Sequence, residues 1–209
     1  MDVKPTPPAK QRSSDTWVKV AAYAAFAGAV AYPLQVVEYT IFTGQLKDPA
    51  NAYLATTYEA IHELTVTAEW VLLLMVAFGL FRLVRPSSNR SKALLVIASI
   101  GMAMVIISQV LVAVGAEGNN LPFWQNEQEA GQVGVGIWLF FVNSQLQKSK
   151  TLSNGLTIVG MIFGVGLAYA SISLLFNGKV PPVGALSFAL GFFVWQIWLG
   201  VTLLRPLPA

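Results

Sequence analysis

The sequence predicts an all-α polytopic membrane protein with six transmembrane helices in one bundle. Composition is the first reason, because 55% of the 209 residues are hydrophobic and 11% are charged, against about 25% charged in a soluble domain. The mean hydropathy is +0.61. The apolar residues also form continuous runs near the roughly 20 residues that cross about 30 Å of hydrocarbon. A water-soluble globule of this length could not bury that much apolar surface.

The same composition excludes several classes of function. A nucleic-acid-binding module, a secreted disulfide scaffold and a cytosolic enzyme are all ruled out, and we expect no nucleic-acid partner. The chain has no cysteine, so it can form no disulfide, thiolate nucleophile, zinc–thiolate site or iron–sulfur cluster. The net charge of +3 comes from basic residues whose positions mark membrane topology.

Six apolar segments define the predicted domain. Residues 1–15 are polar and proline-rich and are expected to form a disordered cytoplasmic tail, so residues 16–209 make up the six-helix transmembrane domain. Continuous runs disfavour a membrane β-barrel, whose strands alternate apolar and polar residues. The fourth segment is the shortest and most polar. The predicted spans are residues 17–42, 58–84, 93–116, 129–146, 156–176 and 183–204.

Each break between the spans carries residues that favour turns. Within the first span, Pro33 should kink the helix or widen its backbone pairing. The five predicted turns lie at Lys47-Asp48-Pro49, at residues 85–89, at Gly118-Asn119-Asn120, at Ser153-Asn154-Gly155 and at Asn177-Gly178-Lys179.

The basic residues predict that both termini are cytoplasmic. With the amino terminus inside, only Lys47 and Lys179 of the 13 lysines and arginines lie outside, as the positive-inside rule requires. Aromatic residues enriched at membrane interfaces agree, with Trp17 at the inner end of the first span and Phe123-Trp124 in the outer loop before the fourth. We therefore expect a multi-pass protein of the inner (cytoplasmic) membrane.

Several stretches resemble one family. The pattern begins with residues 51–52 and a polar helix start, and it continues with a leucine-rich span that ends at residues 79–86 and with residues 91–95. A small-residue start at Ala130-Gly131 and a final span with residues 198–205 complete it. Over roughly residues 17–205 this pattern is similar to a large group of six-helix prokaryotic membrane proteins, domain of unknown function four-three-eight-six. The usual proline of the fourth turn is absent, and Leu152-Ser153-Asn154 stands there. The resemblance implies a fold and a membrane location but no activity.

Acidic residues are the best pointers to function, because a carboxylate at mid-bilayer costs at least about 2.5–3.5 kcal/mol. Beyond the tail, all of them fall in outer loops or in the outer half of a predicted span. This distribution predicts a negative outer vestibule over an apolar base. The residues concerned are Glu38, Asp48, Glu59, Glu63, Glu69, Glu117, Glu127 and Glu129.

The start of the second span is the most informative segment. At about 100° per residue, Glu59, His62, Glu63, Glu69 and Trp70 fall on one face of about 120°. This face would point into the bundle or into a wet outer cavity. Alternatively, Glu59, His62 and Glu63 lie at the water interface and merely solvate the helix start, where the acids also complement the helix dipole.

Glu69 lies about two turns deeper than His62 and is expected to be a buried, neutral acid. Its predicted hydrogen-bond acceptor is Gln109 or a backbone carbonyl. Other amides at membrane depth, Asn143 and Gln196, are expected to form hydrogen bonds between helices.

The leading hypothesis is an outer-facing pocket that binds a membrane lipid, an isoprenoid-like molecule or a cationic amphiphile. An intramembrane acid–base enzyme, of isomerase or cyclase type, remains an alternative, with Glu69 as acid and His62 or Glu63 as base. A structural subunit of a larger complex or a homo-oligomer is a third possibility. The predicted pocket residues are Glu38, Glu59, His62, Glu63, Glu69, Gln109 and Glu129.

No metal or other cofactor is predicted. Glu59 and His62 have the i, i+3 spacing of di-iron helices, but that architecture needs a second such pair, and the chain has a single histidine.

Overall fold

The computed structural model describes residues 16–45, 55–84, 89–115 and 121–205. Within these ranges the chain is helical and contains no strand. The predicted tail at residues 1–15 and the predicted turns at residues 47–49 and 118–120 lie outside them. The six helices are α1 (Thr16–Gln45), α2 (Ala55–Leu83), α3 (Asn89–Ala113), α4 (Leu121–Lys148), α5 (Asn154–Asn177) and α6 (Pro182–Leu204).

The helices form a closed ring in which each packs on its neighbours in the sequence and α6 returns to pack on α1. Neighbouring helices run antiparallel. On α1 and α2, for example, Ala21 lies against Gly79 near one end of the bundle, and Gln35 lies against Glu69 nearer the other. The ends of α1, α3 and α5 therefore lie beside the starts of α2, α4 and α6.

Five helices, all except α4, are long and apolar enough to cross a membrane. The two faces of α3 show the pattern well. Ala98 and Val105 are buried in the bundle, whereas Ile100 and Ile107 on the opposite face are more than half exposed. A soluble bundle would carry polar residues on that outer face, so the structure has the character of a multi-pass membrane protein.

Glycines bring neighbouring helices into backbone contact at two crossings. A Cβ atom added to Gly101 on α3 would lie 2.6 Å from the carbonyl oxygen of Gly131 on α4. A Cβ atom on Gly164 of α5 would lie 2.6 Å from the carbonyl oxygen of Gly136 on α4. Any larger side chain would separate the helices, which is why small residues occur at close crossings in membrane bundles.

The main difference from the sequence prediction is the start of α4. This helix begins at Leu121, eight residues before the predicted span at Glu129, and it includes Phe123 and Trp124, which were expected in a loop. The prediction was wrong here because hydropathy identifies only the part of a helix that faces lipid, whereas the first turns of α4 are polar and face other helices or water.

Two of the predicted turns are well defined. Ser153 caps the start of α5, where its hydroxyl accepts a hydrogen bond from the backbone N–H of Leu156. Gly178 ends α5 in the left-handed conformation, with φ of 64°, which favours glycine.

Candidate functional site

The charged residues separate to opposite ends of the ring. Among the described residues, every acidic side chain lies toward the end where α1, α3 and α5 finish, which we call the acidic end. The basic side chains lie toward the opposite, basic end, with the exception of Lys179. The acids are Glu38, Glu59, Glu63, Glu69, Glu127 and Glu129, and the bases of the basic end are Lys19, Arg82, Arg90, Lys92, Lys148, Lys150 and Arg205.

A cavity of about 550 Å³ opens at the acidic end between α2, α3, α4 and α5. Among the described residues its lining is rich in carboxyl and amide groups and contains no phenylalanine, tyrosine, tryptophan, lysine or arginine. It consists of His62, Glu63 and Val66 from α2, Gln109 from α3, Gln125, Asn126, Gln128 and Glu129 from α4, and Leu174 and Gly178 from α5.

Two acceptor atoms of this lining are buried and have no hydrogen-bond partner among the described residues. One is Oε1 of Gln109, a residue that is only 4% exposed, and the other is Oε2 of Glu129, whose carboxyl group is also close enough to the Ser171 hydroxyl to interact with it. Buried polar atoms in native proteins nearly always have a partner, either protein or ordered water. These two atoms therefore mark where a donor would bind.

The wall beside Glu129 is held by a contact between α4 and α5. The hydroxyl of Ser171 donates a hydrogen bond of 2.9 Å to Oε1 of Gln132, one turn along α4 from Gln128. This bond fixes the rotation of α4 so that its amide-rich face lies toward the cavity.

Glu69 belongs to a different contact. It is 4% exposed, and its Oε2 accepts a hydrogen bond from Nε2 of Gln35 on α1. The predicted partner, Gln109 or a backbone carbonyl, was therefore wrong, because the antiparallel packing of α1 on α2 places Gln35 opposite Glu69. The other carboxyl oxygen of Glu69 is buried and has no partner among the described residues.

Glu38 also lies at the contact between α1 and α2. The hydroxyl of Thr65 donates a hydrogen bond of 3.3 Å to its Oε1, and His62 is near enough for the charges of the two side chains to interact. Glu59 is exposed and does not line the cavity.

The structure thus distributes the seven predicted pocket residues over three places. Four of them surround the cavity, two form the contact between α1 and α2, and one is exposed. The residues around the cavity are His62, Glu63, Gln109 and Glu129. The residues at the contact between α1 and α2 are Glu38 and Glu69, and the exposed residue is Glu59.

Sequence reasoning missed three cavity residues, Gln125, Asn126 and Gln128, because it placed them in a loop. A signal was present, since Gln125, Gln128 and Gln132 recur at helical spacing on one face. An amide-rich helical face is typical of a buried polar surface.

Other features of the described residues are less suited to recognise a ligand. No three histidine or acidic side chains come together as a metal site. Two apolar grooves of about 380 and 300 Å³ lie between α5 and α6 and share Ile162 and Ser187. They offer almost no polar group to orient a ligand. Toward the basic end, the indole N–H of Trp195 donates a 3.3 Å hydrogen bond to Oδ1 of Asn143, a contact that joins α6 to α4.

Fold and cavity together define a class, a ring of six antiparallel helices with the character of a multi-pass membrane protein and a polar cavity at one end. No protein family, curated protein or solved structure matches the chain. The resemblance of residues 17–205 to the six-helix prokaryotic group therefore stays a prediction.

Proposed function

We propose that this protein is a six-span inner-membrane protein whose cavity faces outward and binds the polar head of a membrane lipid or another amphiphile. The observation that carries the proposal is the cavity of about 550 Å³, where Glu63, Gln109 and Glu129 meet at one end of an otherwise apolar bundle. A polar site surrounded by lipid-facing helices suits a molecule with one polar and one apolar part.

The proposed orientation follows from the charges. Six spans place both termini on the same side, and the basic end carries most of the lysines and arginines, which favour the cytoplasm. Although α4 is too polar in its first turns to resemble a lipid-facing span, its 28 residues would extend about 42 Å, enough to cross.

Cysteine labelling would test this orientation, and the absence of native cysteines makes each introduced thiol unique. We expect a membrane-impermeant maleimide added to intact cells to label Lys179→Cys and not Ser149→Cys. Both residues are exposed in described turns. The reverse labelling pattern would place the cavity on the cytoplasmic side.

Native mass spectrometry would test the binding function itself. We expect purified protein to retain an amphiphile that Glu63→Gln or Glu129→Gln releases. Glu127→Gln is the matched control, because it makes the same change two residues from Glu129 and outside the cavity lining. If all three variants retain every species bound by the natural protein, the cavity is not the binding site. The same spectra report whether the chain is a monomer, a homo-oligomer or part of a complex.

The geometry supports binding better than acid–base catalysis by Glu69. The carboxyl group of Glu69 accepts a hydrogen bond from Gln35, and it is not part of the cavity lining. An acid–base reaction in the cavity would have to use His62, Glu63 or Glu129, which are the half-buried titratable groups of its lining.

A further inference from the structure

The buried part of the cavity lining contains acceptor atoms that no donor reaches among the described residues. Oε1 of Gln109 and Oε2 of Glu129 are buried acceptors without a donor among the described residues, and Glu63 adds a second carboxyl group. Of the described residues no lysine or arginine lines the cavity, and His62 at its α2 side is the one basic side chain there. The missing group is therefore one that carries both positive charge and N–H donors.

We infer that the cavity binds a protonated amine that carries N–H groups, a primary ammonium foremost, between Gln109, Glu129 and Glu63. This inference deepens the proposed function and rests on it. A charge-assisted N–H bond to a carboxylate is stronger than a bond between neutral groups, and an amide oxygen such as that of Gln109 is a suitable second acceptor.

The lining also argues against two other kinds of head group. Quaternary ammonium groups have no N–H and are recognised by the rings of tryptophan, tyrosine and phenylalanine, none of which is among the described residues of the lining. Phosphate groups are bound by arginine or lysine side chains, which are likewise missing from it. A zwitterionic phospholipid head would therefore have its phosphate unpaired in this cavity.

A primary ammonium could arrive on an alkyl chain from the membrane or on a polyamine from the aqueous phase. Binding to the full-length protein in phosphatidylcholine nanodiscs, with empty nanodiscs as the reference, separates the two sources. The probes are dodecylamine, spermidine and dodecyltrimethylammonium. We expect dodecylamine, spermidine or both to bind at least about tenfold more tightly than dodecyltrimethylammonium, as loss of one charge-assisted hydrogen bond implies.

Binding of dodecylamine alone would identify a membrane amine as the ligand, and binding of spermidine alone would identify a soluble amine. Equal binding of dodecylamine and dodecyltrimethylammonium would overturn the inference and leave the proposed amphiphile site intact. Binding by none of the probes would also overturn it, and native mass spectrometry would then test the proposed function independently.

Variants locate the site of binding. Glu129→Gln and Gln109→Leu should each weaken amine binding about tenfold or more, while Glu127→Gln should leave it unchanged. Glu63→Gln provides a further test if one of the others fails to fold. Retention of full affinity in every folded cavity variant would place the amine elsewhere and refute the inference.

Discussion

The contact between Gln35 and Glu69 gives the most quantitative prediction. Gln35 is the hydrogen-bond donor to a carboxyl group that is 4% exposed. Replacing it in Gln35→Leu leaves both oxygens of Glu69 buried and without partners among the described residues. A buried polar group that is left without a hydrogen-bond partner lowers stability by about 1–3 kcal/mol. Hydrogen bonds between membrane helices contribute about 0.6 kcal/mol on average and at most about 1.7 kcal/mol. We expect the free energy of unfolding to fall by about 2 kcal/mol, since Glu69 has no second donor.

The double variant Gln35→Leu/Glu69→Leu removes both partners. Because two apolar groups can replace a buried pair almost without loss, we expect its stability to return to within about 1 kcal/mol of the natural protein. The two substitutions would then be strongly non-additive, as contacting residues are.

Equilibrium unfolding in mixed micelles with increasing dodecyl sulfate, followed by tryptophan fluorescence and far-ultraviolet circular dichroism, measures these energies. Gln125→Leu, the same substitution at an exposed position, is the control and should change stability by less than about 0.5 kcal/mol. A double variant that loses as much as the two single variants combined would show that the contact is not an energetic pair.

Two further predictions concern the same bundle. Glu69→Gln should keep the fold with a small change in melting temperature, because a neutral amide can still accept the hydrogen bond from Gln35. Glu69→Lys should melt far lower, because it would bury an ammonium charge at a position that is 4% exposed. Thermal melts in detergent from pH 5 to pH 9 compare the two variants, and the opposite order would show that Glu69 is not a neutral acid. Gly164→Val should lower the free energy of unfolding by about 1–3 kcal/mol, because the added side chain would push α5 away from the backbone of Gly136. Gly134→Ala, whose added Cβ would meet no neighbour nearer than 3.9 Å, should change little, and equal losses in the two variants would refute the crossing.

The helices were largely predictable because the length and hydropathy of a span are properties of one segment. Five of them meet the length and hydropathy of a membrane span in the structure. The early start of α4 was not predictable by the same criterion. Its turns before Glu129 carry Gln125, Asn126 and Gln128, whose polar side chains line the cavity, and their sequence alone resembles a loop.

The composition of the site depends on the rotation of each helix about its own axis and on which helices are in contact. The sequence of a single helix determines neither. A shared face on α2 grouped His62 and Glu63 with Glu69. The ring order then divided them, because α1 packs on α2 at Glu69 while the first two reach the cavity. A polar face indicates which residues avoid lipid, but the partner of each residue depends on the neighbouring helix.

The close glycine contact between α3 and α4 lies on the side of the cavity that faces the basic end. At Gly101 and Gly131 the backbones of α3 and α4 touch, and two helices that cross at an angle must diverge on either side of the contact. Gln109 lies eight residues beyond Gly101, roughly 12 Å along α3. There the cavity lies between the two helices and is lined by the long side chains of Gln109 on α3 and of Gln125 and Gln128 on α4, so close backbone packing and a polar cavity occupy successive levels of the same helix pair.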